Sequence, residues 1–305
     1  MVLIAPEAME DVAREMLRRP NQRNDRLTEK QQTKQWGTMF GTSSVVAADI
    51  WNRLDPVATV DRYSQPKHLL YGFLMIKVYA GDEAHSKIVG CHKNTFSKWA
   101  WTFIEAICDL HGDVVSFNNR LIGWDRAATN SGTTTDCSDN VVLEPWPFDT
   151  SMWSHEINGP ALKCEVATSI FTGFIVHWNG PLKRSVADTT IFRNGLLQKL
   201  DDGECVESDS GCGGEHCLKT PGVAKSRTAR FQKGKARAQQ ENVFARVKKF
   251  KAFSTPFVQT HDKRERCHGA VMVILQLGLE HGKVQLWDFE HTAEHFWTNS
   301  SRCIR

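Results

Sequence analysis

The sequence lacks an apolar run long enough to span a lipid bilayer. Its best apolar stretches, Leu69 to Val78 and Ala270 to Leu279, hold ten residues each, whereas a spanning helix needs about 20. The start of the chain also lacks the basic flank and long apolar stretch of a secretion signal. These absences predict a soluble, intracellular protein with no membrane partner.

No Cys-X-X-Cys pair occurs among the nine cysteines. In a reducing compartment, scattered cysteines are typical of small buried hydrophobic side chains. Four possible zinc ligands do cluster, although at a spacing that fits no usual zinc pattern, so a structural zinc site stays open only as an alternative. They are Cys205, Cys212, His216 and Cys217.

Net charge is small, at +3, but its distribution along the chain is uneven. Between Lys219 and Lys251 there are eleven Lys or Arg residues and a single acid, Glu241. A basic face around one carboxylate favours a polyanionic partner. A solvated basic helix and loop is the alternative.

Residues 1–60 are polar and show little periodicity, and we expect a partly flexible N-terminal arm. Residues 61–123 look helical. A short helix over Asp82 to Val89, a turn at Gly90 and a longer helix over Asn94 to Leu110 form the outline of a helix-turn-helix. A plain helical bundle would show the same outline. The residues expected to contact DNA at the start of the longer helix are Lys93, Asn94, Ser97 and Lys98.

Residues 124–305 change to a pattern of strands. Three strands are predicted in succession, followed by a helix that crosses over to a fourth strand and, after a long loop, by another helix. This order is typical of a ribonuclease-H-like α/β fold, a mixed sheet flanked by helices. The predicted elements are a strand ending at Asp136, strands over Leu162–Ile170 and Phe174–Trp178, a helix over Asp188–Leu200, a strand over Glu204–Asp209 and a helix over Gln239–Phe250.

Three carboxylates fall at informative places in this order. Asp136 ends the first predicted strand, Asp209 ends the fourth, and Glu241 lies in the first turn of the last helix. Three ionised carboxylates in one small site need a counter-charge, and two Mg²⁺ or Mn²⁺ ions held by them would support phosphodiester exchange. Taken singly, each acid has a plainer interpretation. Asp136 could cap a turn, and Asp209 could lie at the corner of a loop. Glu241 could form an ion pair with Arg237 or Lys248.

The loop predicted over residues 211–236 is rich in Gly, Lys and Arg. We expect its basic side chains to be exposed and to bind the phosphate backbone of DNA. Nuclear import is a second use for the same basic segment. The basic residues are Lys225, Arg227, Arg230, Lys233, Lys235 and Arg237.

Four ordered blocks of sequence carry a resemblance to a known family. They are TTTDCSDN, NGPLKRSVADTTIFR, ESDSGCGG and RAQQENVFARVKKF. In these blocks the chain resembles the DDE endonuclease domain of PIF/Harbinger-type transposases. The first block departs from the family pattern at Cys137-Ser138, and the third at Cys212.

This resemblance implies a catalytic and metal-binding triad of Asp136, Asp209 and Glu241, with Asp139, Asp188 and Glu207 outside it. It also implies nuclear localisation and action on DNA, commonly with a separate Myb-like DNA-binding partner; a homo-oligomer is a further expectation. Two alternatives remain open: a catalytically silent DNA-binding or scaffold protein, and a cellular metal-dependent nuclease that cuts without joining.

Overall fold

The computed structural model of the chain describes most of its residues. The described ranges are 3–17, 29–127, 129–209, 214–220 and 227–282. Along two helices only the backbone is described at positions 29, 30, 32, 33, 227–233, 235 and 236. None of the described helices is long and apolar enough to cross a membrane.

Two compact units make up the described chain. The first combines residues 3–114 with residues 247–282, and the second consists of residues 115–246. This division differs from the predicted boundaries at residues 60 and 123. It also moves residues 247–282 out of the strand-containing domain, because their long apolar helix packs among the N-terminal helices.

The first unit is helical. Its elements are α1 (Pro6–Met16), α2 (Glu29–Phe40), α3 (Ser44–Leu54), α4 (Pro56–Thr59), α5 (Pro66–Val78), α6 (Asp82–Val89), α7 (Lys93–Asp109), α8 (His111–Val114), α11 (Lys251–Ser254) and α12 (His261–Glu280). In this unit α7 packs against both α5 and α12. The predicted stripe of α7 is confirmed as buried at Phe96, Trp99, Phe103 and Ile107. Burying each such side chain contributes about 1.5–3 kcal/mol.

The prediction of a polar arm over residues 1–60 is wrong for α3. Val46, Ile50 and Leu54 of this helix are buried, and their spacing of four residues places them on one face. The side chain of Ser43 caps the helix by accepting from the backbone N–H of Val46 at 3.4 Å. Residues 18–28 of the predicted arm lie outside the described residues.

The outline of two helices joined by a glycine turn is confirmed for α6 and α7. Gly90 ends α6 at a φ of 71°, a left-handed conformation that glycine adopts at no steric cost. Lys93, Asn94 and Lys98 are exposed at the start of α7, whereas Ser97 is half-buried. The role of these side chains in DNA binding stays a prediction.

The second unit is built on a mixed sheet of six strands flanked by helices. Its strands are β1 (Ser131–Val141), β2 (Trp153–Ser154), β3 (Gly159–Ser169), β4 (Ile175–Lys183), β5 (Cys205–Glu207) and β6 (Leu218–Lys219). The order across the sheet is β2-β3-β1-β5-β6, and β4 also pairs with β3. β1 and β4 run antiparallel to β3, whereas β5 runs parallel to β1, and β6 parallel to β5.

Two helices cover this sheet on opposite faces. Helix α9 (Asp188–Asn194) contributes Phe192 to an apolar cluster that includes Ala167 of β3. Helix α10 (Arg227–Val247) contacts the side chain of Thr168 instead. Successive side chains of a strand point to opposite faces, so α9 and α10 lie on different sides of β3.

Three element boundaries differ from the predicted ones. β1 continues to Val141, so Asp136 lies in its middle rather than at its end. β5 ends at Glu207, two residues before Asp209. α10 begins at Arg227, so the later part of the predicted basic loop is helical, and Glu241 lies well inside the helix rather than in its first turn.

Candidate active site

Two neighbouring parallel strands bring Asp136 and Asp209 together. Thr134 of β1 pairs with Glu207 of β5. Asp136 lies two residues beyond Thr134, and Asp209 lies two residues beyond Glu207. Because side chains alternate along a strand, positions two residues apart share a face. The register therefore brings Asp209, just past the end of β5, close to Asp136 on the neighbouring strand.

One cavity opens at this point of the sheet. Its walls come from β1, from the end of β5 and from α10, and the lining residues are Thr134, Thr135, Asp136, Glu207, Ser208, Asp209, Arg237 and Gln240. Three carboxylates and one guanidinium thus share a small space. The sequence interpretation placed Asp136 and Asp209 in one cleft, and the structure brings both of them to this cavity.

The environment of Asp136 disfavours its charge. The pKa of this carboxyl is raised to about 7, chiefly by burial and also by the negative charges of Asp209 and Asp188. Two contacts act in the other direction: the backbone N–H of Cys137 donates to Asp136 Oδ1 at 2.8 Å, and the charge of Arg237 favours the ionised form. A cation beside Asp136 would lower the remaining free-energy cost of ionising its carboxyl.

Helix α10 is held over the sheet by two buried glutamines. The Nε2 of Gln240 donates to the Val166 carbonyl oxygen at 2.6 Å, and its Oε1 accepts from Thr168 Oγ1 at 3.0 Å. The Nε2 of Gln239 donates to the Ser169 carbonyl oxygen at 2.9 Å. These bonds to β3 fix the rotation of α10, and they direct Gln240 and Arg237 toward the cavity.

Glu241 does not line this cavity. Its side chain is 60% exposed and binds Arg237 one turn earlier, with 3.0 Å between Arg237 Nε and Glu241 Oε1. The alternative interpretation of Glu241 in the sequence analysis predicted this ion pair. Of the three carboxylates expected to converge, Asp136 and Asp209 line the cavity. Glu241 is paired with Arg237 and is not part of the lining.

The acids expected outside the cluster have different outcomes. Glu207 lines the cavity, so its expected exclusion is wrong. Asp139 lies outside the lining and binds Arg184 and the Ser154 hydroxyl. Asp188 forms an ion pair with Lys163, although its charge still reaches Asp136.

The donor set matches a metal site only in part. Within the described ranges, no group of three or more His, Cys, Asp or Glu side chains is gathered closely enough to hold a metal ion. Asp136 and Asp209 nevertheless suit Mg²⁺ or Mn²⁺, which take one or two carboxylates and complete their coordination with water and phosphate oxygens. The suspected zinc ligands give no such group in the described part of the chain, and Cys212 lies outside it.

The structure describes the side chains of only some of the basic residues of this segment that were expected to bind DNA. Lys225 lies outside the described residues. Arg227, Arg230, Lys233 and Lys235 lie on α10, where only the backbone is described. Arg237 is exposed, and it differs from the expectation by also lining the acidic cavity.

No protein-family model, curated protein or solved structure matches this chain. The cavity between β1, β5 and α10 is the candidate functional site, because a buried acid with a raised pKa meets further charged side chains there.

A pattern in the sequence would have identified Gln240. Val243 and Val247 mark the buried stripe of α10, and Gln240 precedes them by three and seven residues, which is helical spacing. Glu241 falls off this stripe. The periodicity of α10 thus favours Gln240 over Glu241 as the residue that faces the sheet.

Proposed function

We propose that the second unit is a divalent-metal-dependent domain that cuts and joins DNA, of the transposase type, with Asp136 and Asp209 at its centre. The observation that carries this proposal is that these two acids, 73 residues apart in the chain, line one cavity. Asp136 lies on β1, and Asp209 lies two residues past the end of β5, which runs parallel to β1. Burial and the nearby charge of Asp209 raise the pKa of Asp136, so a cation beside Asp136 would favour its ionised form.

The order of the strands supports a ribonuclease-H-like fold for this unit. β1, β3 and β4 form an antiparallel meander, and the chain then passes through α9 to β5, which runs parallel to β1. This is the order expected from the sequence. The four sequence blocks that resemble PIF/Harbinger-type transposases lie in the same unit, except for the last four residues of the fourth block, and support the same proposal.

In the proposed reaction Asp136 and Asp209 hold the metal ions, and the cavity excludes part of the solvent around them. Two such ions, if bound there, would activate a water molecule or a DNA 3′-hydroxyl as the nucleophile and would stabilise the leaving oxygen of the phosphodiester. Basic side chains of α7 and α10 bind the DNA backbone. A Myb-like partner, a homo-oligomer and action in the nucleus belong to the same proposal.

A cleavage assay tests the proposal. The full chain is incubated with supercoiled plasmid DNA and Mg²⁺ or Mn²⁺, and nicked, linear and joined products are measured. Asp136→Asn and Asp209→Asn should abolish cleavage, because an amide is a poor ligand for a hard cation. Asp202→Asn is the matched control, since Asp202 is an exposed acid of the same unit outside the cavity lining. Cleavage that persists in both cavity variants would refute the proposal.

A second candidate function is a catalytically silent DNA-binding or scaffold protein. The observation that favours it is the Arg237–Glu241 ion pair, which holds the third acid of the triad outside the cavity. Metal-dependent binding of DNA by wild-type protein without any cleavage product, over a range of metal concentrations, would select this function.

A further inference from the structure

Among the described residues that line the cavity, Arg237 is the one with a positive charge, and three others are acids. It shares this wall with Asp136, Glu207 and Asp209, and its charge acts on the Asp136 carboxyl. A guanidinium in this position offsets part of the repulsion among the carboxylates. A divalent cation bound between Asp136 and Asp209 would perform the same task with twice the charge.

The same guanidinium holds Glu241. The two side chains lie one turn apart on α10 and are 3.0 Å apart at Nε and Oε1. Both are more than half exposed, and ion pairs of this exposed kind contribute little to stability, because water solvates each partner well once they separate. The pair can therefore open at small cost when a stronger partner for Glu241 is available.

Two buried glutamines hold α10 on the sheet. Gln239 and Gln240 are each 1% exposed and are bonded to the carbonyl oxygens of β3, so they hold the helix in place on the sheet. Glu241 directly follows Gln240, which lines the cavity. On a helix held in this way, a change of partner by Glu241 would occur through rotation about its side-chain bonds.

We propose that Arg237 is a built-in counter-ion at the cation site, and that cation binding displaces it and releases Glu241 to complete the site. Arg237 is in this sense a positioning residue, which acts through Asp136 and Glu241. The inference rests on the proposed function, because it requires that divalent cations bind at Asp136 and Asp209. It explains why an acid expected in the triad is found in an ion pair beside the cavity.

Calorimetric titration of the full chain with Mn²⁺ alone tests the inference without reference to DNA cleavage. Arg237→Gln removes a competing positive charge, so it should tighten Mn²⁺ binding by roughly threefold to tenfold. Glu241→Gln should weaken binding by roughly tenfold, because a ligand of the completed site is lost. Gln suits an exposed helix position, and circular dichroism verifies that each variant folds.

Arg193→Gln provides a matched control for the loss of charge. Arg193 belongs to the same unit, has the same 55% side-chain exposure as Arg237 and is paired with Glu215 away from the cavity lining. Its replacement should leave Mn²⁺ affinity unchanged. In the Arg237→Gln background, Glu241→Gln should weaken binding more than it does alone, because Glu241 is then released from its ion pair.

Three results would overturn the inference. One is an Arg237→Gln variant that binds Mn²⁺ no more tightly than the Arg193→Gln control. Another is weaker binding in Arg237→Gln, which would make Arg237 a support of the site. The third is unchanged affinity in Glu241→Gln. If Asp136→Asn and Asp209→Asn also bind Mn²⁺ like the wild type, then the proposed function fails as well, and the two failures are thereby distinguished.

Discussion

At Asp136, burial and the charge of a neighbouring carboxylate act in the same direction. Both raise its pKa, which reaches about 7 in the folded chain against an ordinary value of 3.8. Because the folded-state pKa is the higher one, the protonated carboxyl stabilises the fold fully below pH 3.8. That stabilisation is lost as the pH rises through about 7.

Asp136→Asn should therefore be more stable than the wild type at pH 8 in the absence of metal. The expected gain is roughly 1–4 kcal/mol, and it should shrink toward zero as the pH falls to about 4. Urea unfolding between pH 4 and pH 8 with a chelator measures this difference, with Asp202→Asn as the control. A gain that does not change with pH would contradict the assignment.

At the scale of elements, the rotation of α10 decides which side chains reach the cavity. Gln240 sets this rotation through its bonds to Val166 and Thr168 of β3. Both partners are buried. Loss of the amide would leave the Thr168 hydroxyl without this acceptor and the Val166 carbonyl oxygen with one donor fewer, since Thr135 Oγ1 still donates to that oxygen at 3.2 Å. Such groups are costly inside a protein.

Gln240→Ala should accordingly lower the free energy of unfolding by about 2–3 kcal/mol, through unsatisfied polar groups and lost packing. In the Thr168→Val background the loss should be smaller, because the hydroxyl that Gln240 accepts from is already absent. Urea unfolding of both single variants and the double variant measures the coupling. Strict additivity of the two substitutions would argue against the hydrogen bond.

The helix pair α6 and α7 presents a second test at this scale. Replacing Lys93 and Lys98 by Ala should weaken DNA binding, and it should reduce the slope of log affinity against log salt by about 2. Both lysines are exposed, so the fold should be unaffected. Lys34→Ala, at an exposed lysine of α2, is the control. An unchanged salt slope would favour a plain helical bundle.

At the scale of the whole molecule, the first unit contains three buried histidines, His68, His85 and His268. Burial lowers the pKa of His68 and His85 to about 4 and that of His268 to about 3. The ring of His85 stacks on Phe96 with 4.9 Å between centroids. These histidines remain neutral in the folded unit at a pH where they are protonated in the unfolded chain.

Because their folded-state pKa values lie below 6.5, the stability that these histidines confer is present above pH 6.5 and is lost as the pH falls toward 4. In His85→Gln, the free energy of unfolding should fall by about 1–2 kcal/mol less between pH 7 and pH 4.5 than it does in the wild type. Thermal unfolding across this range measures the effect, with exposed His261→Gln as the control. Equal acid sensitivity in both variants would contradict the prediction.

Local patterns in the sequence were sufficient for much of the element structure. The buried stripe of α7, the turn at Gly90 and the succession of strands with α9 between β4 and β5 all depend on neighbours within a few residues. The same patterns singled out Asp136 and Asp209, because an acid after an apolar or β-branched run is conspicuous. Helical spacing in α3 was present but was missed among its polar surroundings.

What only the tertiary structure decided is which side chains meet. The register of β1 with β5 brought Glu207 into the cavity beside Asp136, and the bonds of Gln239 and Gln240 to β3 turned Glu241 out of it. A helix turns by about 100° per residue, so a one-residue difference between Gln240 and Glu241 changes which of them faces the sheet. The amino-acid sequence by itself determined that acidic and basic side chains would occur near these strands. Pairing and packing between segments far apart in the chain determined which acid faces the cavity and which is held by Arg237.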